Sequence, residues 1–200
     1  GLQTLLGDAR LSAVLIGPGA LGGTHPGGLK ALVLTVLASG RPVVLDADAL
    51  SVFQDDPSLL FAAIAGHGRP VVITPHDGEF ARLAGPDGTG RAEAASDFAV
   101  RHGCTVVRKG PETVCAFPDG DAAVLRVGNP GMAKGGSGDV LTGLLTGLLA
   151  QGMEPFDACC AAVWLHGRAG DLAARDVGLW GMTPSDLLDR IPAALREVTE

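Results

Sequence analysis

The 200 residues suit one α/β domain, or at most two, and are enough to bury a sizeable core. The chain has 22 acidic against 15 basic residues, a formal charge of −7, no tyrosine and no basic run. It is therefore a poor nucleic-acid binder, since such a surface needs clustered cations to displace counterions. A hydrophobic content of 46% with 18% charged residues argues against a disordered chain, and the apolar stretches are too short or too interrupted for a membrane span.

Gly1-Leu2-Gln3-Thr4 shows no basic segment leading into an apolar run, so no signal peptide is visible. Cys104, Cys115, Cys159 and Cys160 have no CxxC spacing and read as reduced thiols of a cytoplasmic protein. In chain order, β-branched apolar runs predict strands over 12–16, 43–46, 71–74 and 105–108. The first three are almost continuously apolar, as parallel strands covered on both faces are. Helical patterns lie between them, over 28–39, 57–65 and 91–102, giving the alternation of a parallel sheet flanked by helices. Strands over 114–117 and 123–127 are separated by Pro118-Asp119-Gly120-Asp121, which predicts a hairpin on the sheet edge.

The last third is helical. Leu141, Leu144, Leu145, Leu148 and Leu149 form a stripe along a helix over 139–151, with Gly143 and Gly147 on another face for close approach. A second long helix is predicted over 156–175. Thr183-Pro184-Ser185-Asp186 reads as a capped start to a final helix over 185–198.

Chemistry concentrates where the hairpin gives way to these helices, in Gly128-Asn129-Pro130-Gly131-Met132-Ala133-Lys134-Gly135-Gly136-Ser137-Gly138-Asp139. Gly135, Gly136 and Gly138 leave backbone N–H groups unshielded just ahead of a helix N-terminus, an arrangement suited to a phosphate. Asp139 faces the same space in the first turn. A carboxylate beside an anion site suits a general base that takes the proton of an attacking hydroxyl; the bland alternative is an ordinary helix-start aspartate. Three glycines in four positions favour the functional reading, because they are a poor way merely to begin a helix. Asn129 is placed to order the loop through side-chain hydrogen bonds. Asp46 and Asp48 end a strand, where pockets of parallel sheets form; Asp46 is a candidate to orient substrate or metal, and Asp48 a cap of the next helix.

The loop and its helix, GNPGMAKGGSGDVLTGLLTGLLAQG, resemble the signature of the NAD(P)H-hydrate dehydratases of the ribokinase-like fold. Segments over 16–23 (IGPGALGG), 43–50 (VVLDADAL), 73–83 (ITPHDGEFARL), 107–114 (VRKGPETV), 164–171 (WLHGRAGD) and 181–192 (GMTPSDLLDRIP) match the same family in the same order. The resemblance covers nearly the whole chain. It implies repair of the S-epimer of hydrated NADH or NADPH (NADHX or NADPHX): the C6 hydroxyl is phosphorylated from ADP, or ATP, and phosphate is then eliminated. The bacterial branch, which this loop resembles most, uses ADP and releases AMP. Mg2+ is expected with the phosphates, with no dedicated metal cage, and a homotetramer is expected from the family.

The resemblance also implies roles. Asp139 matches the catalytic aspartate, beside the substrate, and Gly138 touches the nucleotide phosphate. Lys109-Gly110-Pro111-Glu112-Thr113 matches the nucleotide-binding segment; on its own, Lys109 reads equally as a solvated lysine. His76 matches a contact to the hydrated nicotinamide, where a lone histidine would otherwise be a satisfied loop residue. Glu79 is either a first-turn helix carboxylate or part of a metal–phosphate network. Gly19 and Gly22 lie in a turn near the substrate dinucleotide, with an extra alanine relative to the family's GPGLG. Lys134, where threonine or serine is frequent, adds a cation expected near the phosphates. Trp164 and His166, within an apolar helix, read as core. The family's opening strand–helix–strand unit has no match, so residues 1–200 are expected to be an N-terminally incomplete ribokinase-like domain. Two other readings fit the loop: a small-molecule kinase of the same superfamily, acting on a sugar or a hydroxymethylpyrimidine, and a nucleotide-binding module without catalysis.

Overall fold

A computed structural model describes residues 1–86, 88 and 90–199. Six strands form one sheet in sequence order: β1 (Val14–Ile16), β2 (Val43–Leu45), β3 (Val71–Ile73), β4 (Thr105–Arg108), β5 (Thr113–Ala116) and β6 (Ala122–Leu125). The first four are parallel, with Val14 against Val43 and Val43 against Val71. β5 and β6 return antiparallel as the expected edge hairpin, with Cys115 opposite Ala123. The architecture is the mostly parallel α/β sheet that the alternating pattern predicts.

Period-two alternation divides the strands between two cores. Val43, Leu45, Val71, Ile73 and Val106 face α2 (Pro26–Leu37), α4 (Pro57–Ala65), α5 (Asp77–Ala84) and α6 (Arg91–His102), with Phe53, Leu60, Phe80 and Phe98 filling the space. Val44, Val72, Val107 and Cys115 face α7 (Ser137–Ala150) and α8 (Pro155–Gly181) through Leu141, Leu145, Ala158 and Ala162. α9 (Pro184–Thr199) packs outside them, burying Leu187 and Ala194.

Among the described residues three short α-helices fall outside the predicted set: α1 (Leu2–Leu6), α3 (Asp48–Ser51) and α5. α1 and α3 are too short to show a helical period, and α5 is only eight residues long. α8 runs to Gly181 instead of ending near residue 175. Its path breaks at Gly178, whose φ of 78° and ψ of 157° only glycine adopts readily. α2 begins at Pro26 rather than at residue 28, because His25 caps it by accepting the Gly28 N–H through Nδ1 at 3.1 Å.

Candidate active site

Parallel topology brings the C-terminal ends of β1 to β4 to one edge, so the loops after them meet there. After β1 the chain turns at Gly17, where φ is +132° and a methyl group would lie 1.7 Å from the Asp46 carbonyl oxygen. Only glycine lets this turn lie on the end of β2. Gly19 (φ +64°) and Gly22 follow, with open space where their side chains would be. Asp48 does not cap α3 as its position suggested. Its Oδ2 accepts the Leu21 N–H at 2.9 Å and ties this turn to the β2 loop. Between the two aspartates, Ala47 has a φ of 49° and a ψ of −117°, the only positive-φ non-glycine among the described residues. Strain of this kind costs about 1–3 kcal/mol and gathers at functional sites.

Asp46 is 1% exposed, yet carries a charged partner: Lys109 Nζ lies 2.6 Å from its Oδ1. The pair crosses 63 residues of sequence and joins the end of β2 to the end of β4. The Lys109 N–H donates to the Pro75 carbonyl at 2.8 Å, so the β3 loop is held against it too. A methyl group on Gly138 would sit 3.5 Å from Lys109 Nζ and 3.8 Å from Asp46 Oδ2. The first turn of α7 therefore faces the ion pair across a space that glycine leaves empty.

Asp139, next along α7, is exposed, and among the described residues nothing hydrogen-bonds its carboxylate. Gly135 borders open space, and Gly136 adopts a φ of +91° beside Pro184. Asn129 orders the lead-in as expected: its Oδ1 accepts the Gly131 N–H at 3.0 Å and its Nδ2 donates to Asp171 Oδ1 at 3.1 Å. Lys134 turns away from this edge. Its Nζ donates to the carbonyls of Trp180 and Met182 at 2.9 and 2.6 Å, tying the loop to the end of α8 instead of adding a cation beside the phosphate-type site. Carbonyls left free near a helix C-terminus are natural acceptors for a lysine.

His76 caps α5. Its Nδ1 accepts the Gly78 and Glu79 N–H groups at 3.0 and 3.3 Å, while Glu79 Oε2 accepts the His76 N–H at 2.9 Å. Of the two readings of Glu79, this reciprocal box gives it the first-turn carboxylate role, in a buried position. Because Nδ1 accepts, a neutral His76 carries its proton on Nε2.

Two further residues, Asp77 and Arg91, stand out only in three dimensions. Arg91 Nη1 pairs with Asp77 Oδ1 at 2.7 Å, and its Nη2 donates to the Arg108 and Lys109 carbonyls at 3.0 and 2.8 Å. The buried Arg108 also reaches Asp77 at 2.8 Å and lies over the Phe80 ring. This fork fixes the backbone of Lys109 and Gly110. A methyl group on Gly110 would fall 2.5 Å from Arg91 Nη2, so glycine is what lets the guanidinium reach. Pro111 is exposed, Glu112 pairs with Arg126 at 2.6 Å on the outer side, and Thr113 Oγ1 donates to the Gly110 carbonyl at 3.2 Å. No sequence signal marks Arg91, which opens a polar helix like any surface arginine.

His166 is more than core. Its Nε2 lies 2.9 Å from the Ser137 carbonyl and 3.2 Å from Ser137 Oγ. Burial pushes its imidazole down to about 4; the bond to the Ser137 backbone pulls the other way and the nearby Lys109 charge adds to the fall. A histidine neutral when folded but protonated when unfolded makes stability fall as pH drops from about 6.5 toward about 4. Urea midpoints across that window are expected to fall more steeply for the wild type than for His166→Gln.

Trp164, by contrast, packs with Leu165 and Ala169 as core. A cleft of about 720 Å³, lined by Phe61, Arg69, Arg101, His102 and Pro118, includes none of the candidate site residues. Among the described residues no three His, Cys, Asp or Glu side chains gather as a metal cage. Asp46 and Asp139 are carboxylates at this edge, the oxygen ligand type that Mg2+ takes, and this ion needs few protein ligands because it keeps several waters.

The mostly parallel sheet with helices on both faces is the ribokinase-like fold. More narrowly, the chain belongs to the NAD(P)H-hydrate dehydratase family, whose model matches residues 2–193. It is 45% identical over 163 residues to a bifunctional NAD(P)H-hydrate repair enzyme Nnr of Moorella thermoacetica, covering 80% of this chain and 30% of that protein. It is 40% identical over 174 residues to an ADP-dependent (S)-NAD(P)H-hydrate dehydratase of Neisseria meningitidis, covering 84% of this chain and 57% of that one. A crystal structure of the ADP/ATP-dependent NAD(P)H-hydrate dehydratase of Bacillus subtilis, co-crystallized with ATP and Mg2+, superposes with a TM-score of 0.79 at 34% identity. That match covers 92% of this chain and 64% of the other. The chain thus spans less than two thirds of the length of each of these relatives. No helix among the described residues is long and apolar enough to cross a membrane.

Proposed function

We propose that this chain catalyses the ADP-dependent dehydration of the S-epimer of hydrated NADH or NADPH, releasing AMP, phosphate and the repaired dinucleotide. The observation that carries the reading is the Lys109–Asp46 pair set against the glycine-bare first turn of α7, next to an exposed Asp139 with no hydrogen-bond partner among the described residues. Lys109 and the N–H groups around Gly135, Gly136 and Gly138 receive the nucleotide's phosphates, and Gly110-Pro111-Glu112-Thr113 lies alongside the rest of the nucleotide. Gly19, Gly22 and His76 border the hydrated dinucleotide. Asp46 orients Lys109 by holding its ammonium, and Asn129 and Glu79 order the loops on either side.

Asp139 takes the proton of the C6 hydroxyl as its oxygen attacks the terminal phosphorus of ADP, and the bond to AMP breaks. Phosphate then leaves C6 with the C–O electron pair, pushed by the ring nitrogen, and loss of the C5 proton restores the double bond. Phosphorylation is needed because hydroxide is a poor leaving group. Mg2+ carried by the phosphates neutralises their charge. ATP as a second phosphoryl donor beside ADP, a cytoplasmic location and a homotetrameric assembly complete the proposal.

The test is recovery of the near-ultraviolet absorbance of the dihydronicotinamide from the purified chain with the S-hydrate, ADP and Mg2+. Nucleotide turnover on a sugar or hydroxymethylpyrimidine without that recovery overturns it in favour of a kinase. Gly138→Ala separates site from fold. Its methyl fits at 3.5 Å from Lys109 Nζ, so Tm is expected to stay within about 2 °C of the wild type, while the methyl occupies the space assigned to phosphate. Calorimetric titration is expected to show ADP binding weakened at least about tenfold, roughly 1.4 kcal/mol.

A further inference from the structure

One face of α8 forms the bed of the glycine loop. Gly167 and Gly170 let it approach so closely that methyl groups there would fall 2.5 Å from Val127 Cγ2 and 2.3 Å from Met132 Sδ. Asp171, on the same face, holds Asn129, and His166 reaches Ser137. The His166 contact is directional. Two Ser137 atoms face Nε2, the carbonyl at 2.9 Å and Oγ at 3.2 Å; the shorter contact is to a carbonyl, which only accepts, and it assigns the hydrogen to Nε2.

The Ser137 carbonyl belongs to the same planar peptide as the Gly138 N–H, and in a trans peptide the two point in opposite directions. That peptide joins Ser137 to Gly138 in the first turn of α7, so one of its two ends is a glycine, the residue type that restrains the backbone least. A first-turn N–H such as that of Gly138 has no intrahelical carbonyl partner, so it is open to a phosphate and is held only through the carbonyl side of its peptide. We infer that His166 is a positioning residue for phosphoryl transfer: by donating Nε2–H to the Ser137 carbonyl it fixes this peptide plane and aims the Gly138 N–H at the migrating group. The inference rests on the function proposed above. A donor on the oxygen also polarises the amide, which makes its N–H a stronger donor. The catalytic residue remains Asp139; His166 acts through the backbone.

The test uses His166→Leu and His166→Gln in the full chain. His166→Leu removes the donor and is expected to lower kcat about 10- to 100-fold, below the loss from deleting an oxyanion donor outright, with KM for the hydrate moving less than about threefold. His166→Gln, whose amide N–H replaces the imidazole's, is expected to recover most of that kcat. An unchanged kcat in His166→Leu, or an equal loss in both variants, overturns the inference. Nitrogen-15 NMR of the wild type provides a readout that needs neither activity nor a variant. A neutral ring protonated on Nε2 is expected at neutral pH, and an Nδ1–H ring or a charged one overturns the assignment. If the wild type fails to repair the hydrate, the proposed function falls. Hydrogen exchange at the Gly138 amide then still decides the clamp: faster in His166→Leu than in His166→Gln supports it, and equal rates overturn it.

Discussion

Asp139→Asn is expected to lower kcat by about 10²–10⁴-fold, the contribution of a positioned general base, while the protein folds and binds ADP nearly as before. The two effects separate because the carboxylate is exposed and has no hydrogen-bond partner among the described residues. Its structural contribution is limited to a negative charge in the first turn of a 14-residue helix, about 0.5 kcal/mol. Asparagine keeps the size and loses only the basic oxygen. ADP affinity is expected to rise slightly, since a negative charge beside a polyphosphate is removed. Steady-state kinetics with the hydrate and calorimetry with ADP check both halves. Turnover in Asp139→Asn within tenfold of the wild type would remove the general-base role.

The second large effect is expected at Lys109. Lys109→Met leaves Asp46, 1% exposed, with its charge buried and unpaired. Removing one partner of a buried pair costs about 3–5 kcal/mol, and the fifth of the Lys109 side chain that meets solvent places this case near the lower end. For a chain of this size that corresponds to a Tm fall of roughly 6–12 °C. Lys109→Met with Asp46→Asn is expected to regain much of the lost stability, because the orphaned charge is gone. ADP binding is expected to stay weak in both, because the cation itself is missing. A thermal melt of the two proteins decides the first point and a titration the second. If the double variant is no more stable than the single one, the loss reflects lysine packing and not the buried aspartate.

Local chemistry made much of the fold legible. Runs such as Val43-Val44-Leu45 and Val71-Val72-Ile73 are apolar on both faces because helices cover both faces of a parallel sheet. The hairpin and the long helices appear close to where turn residues and the leucine stripe put them. Elements of five residues or fewer, such as α1 and α3, carry no readable period. The regular part of α8 ends at the Gly178 break, close to residue 175, and the hydrogen-bonded path continues past that break to Gly181. The loop through Asp139 and the strand-end aspartates were also visible, since bare glycines before a helix and carboxylates at strand ends have local physical meaning.

Lys134 and Asp48 show where local reading fails. Each has a charge whose partner is set by distant backbone: the Trp180 and Met182 carbonyls for one, the Leu21 N–H for the other. Arg91, Asp77 and His166 belong with them, since a polar residue on a helix face looks the same whether it meets water or holds a loop. Sequence by itself therefore determined the parallel α/β architecture, the anion-ready glycine loop and the carboxylate beside it, because periodicity and glycine's conformational freedom act over a few residues. Only the tertiary structure decided that Lys109 meets Asp46, that Arg91 grips the Lys109 backbone and that His166 reaches Ser137. Those partners lie 63, 18 and 29 residues apart, and chain folding alone brings them within hydrogen-bond distance.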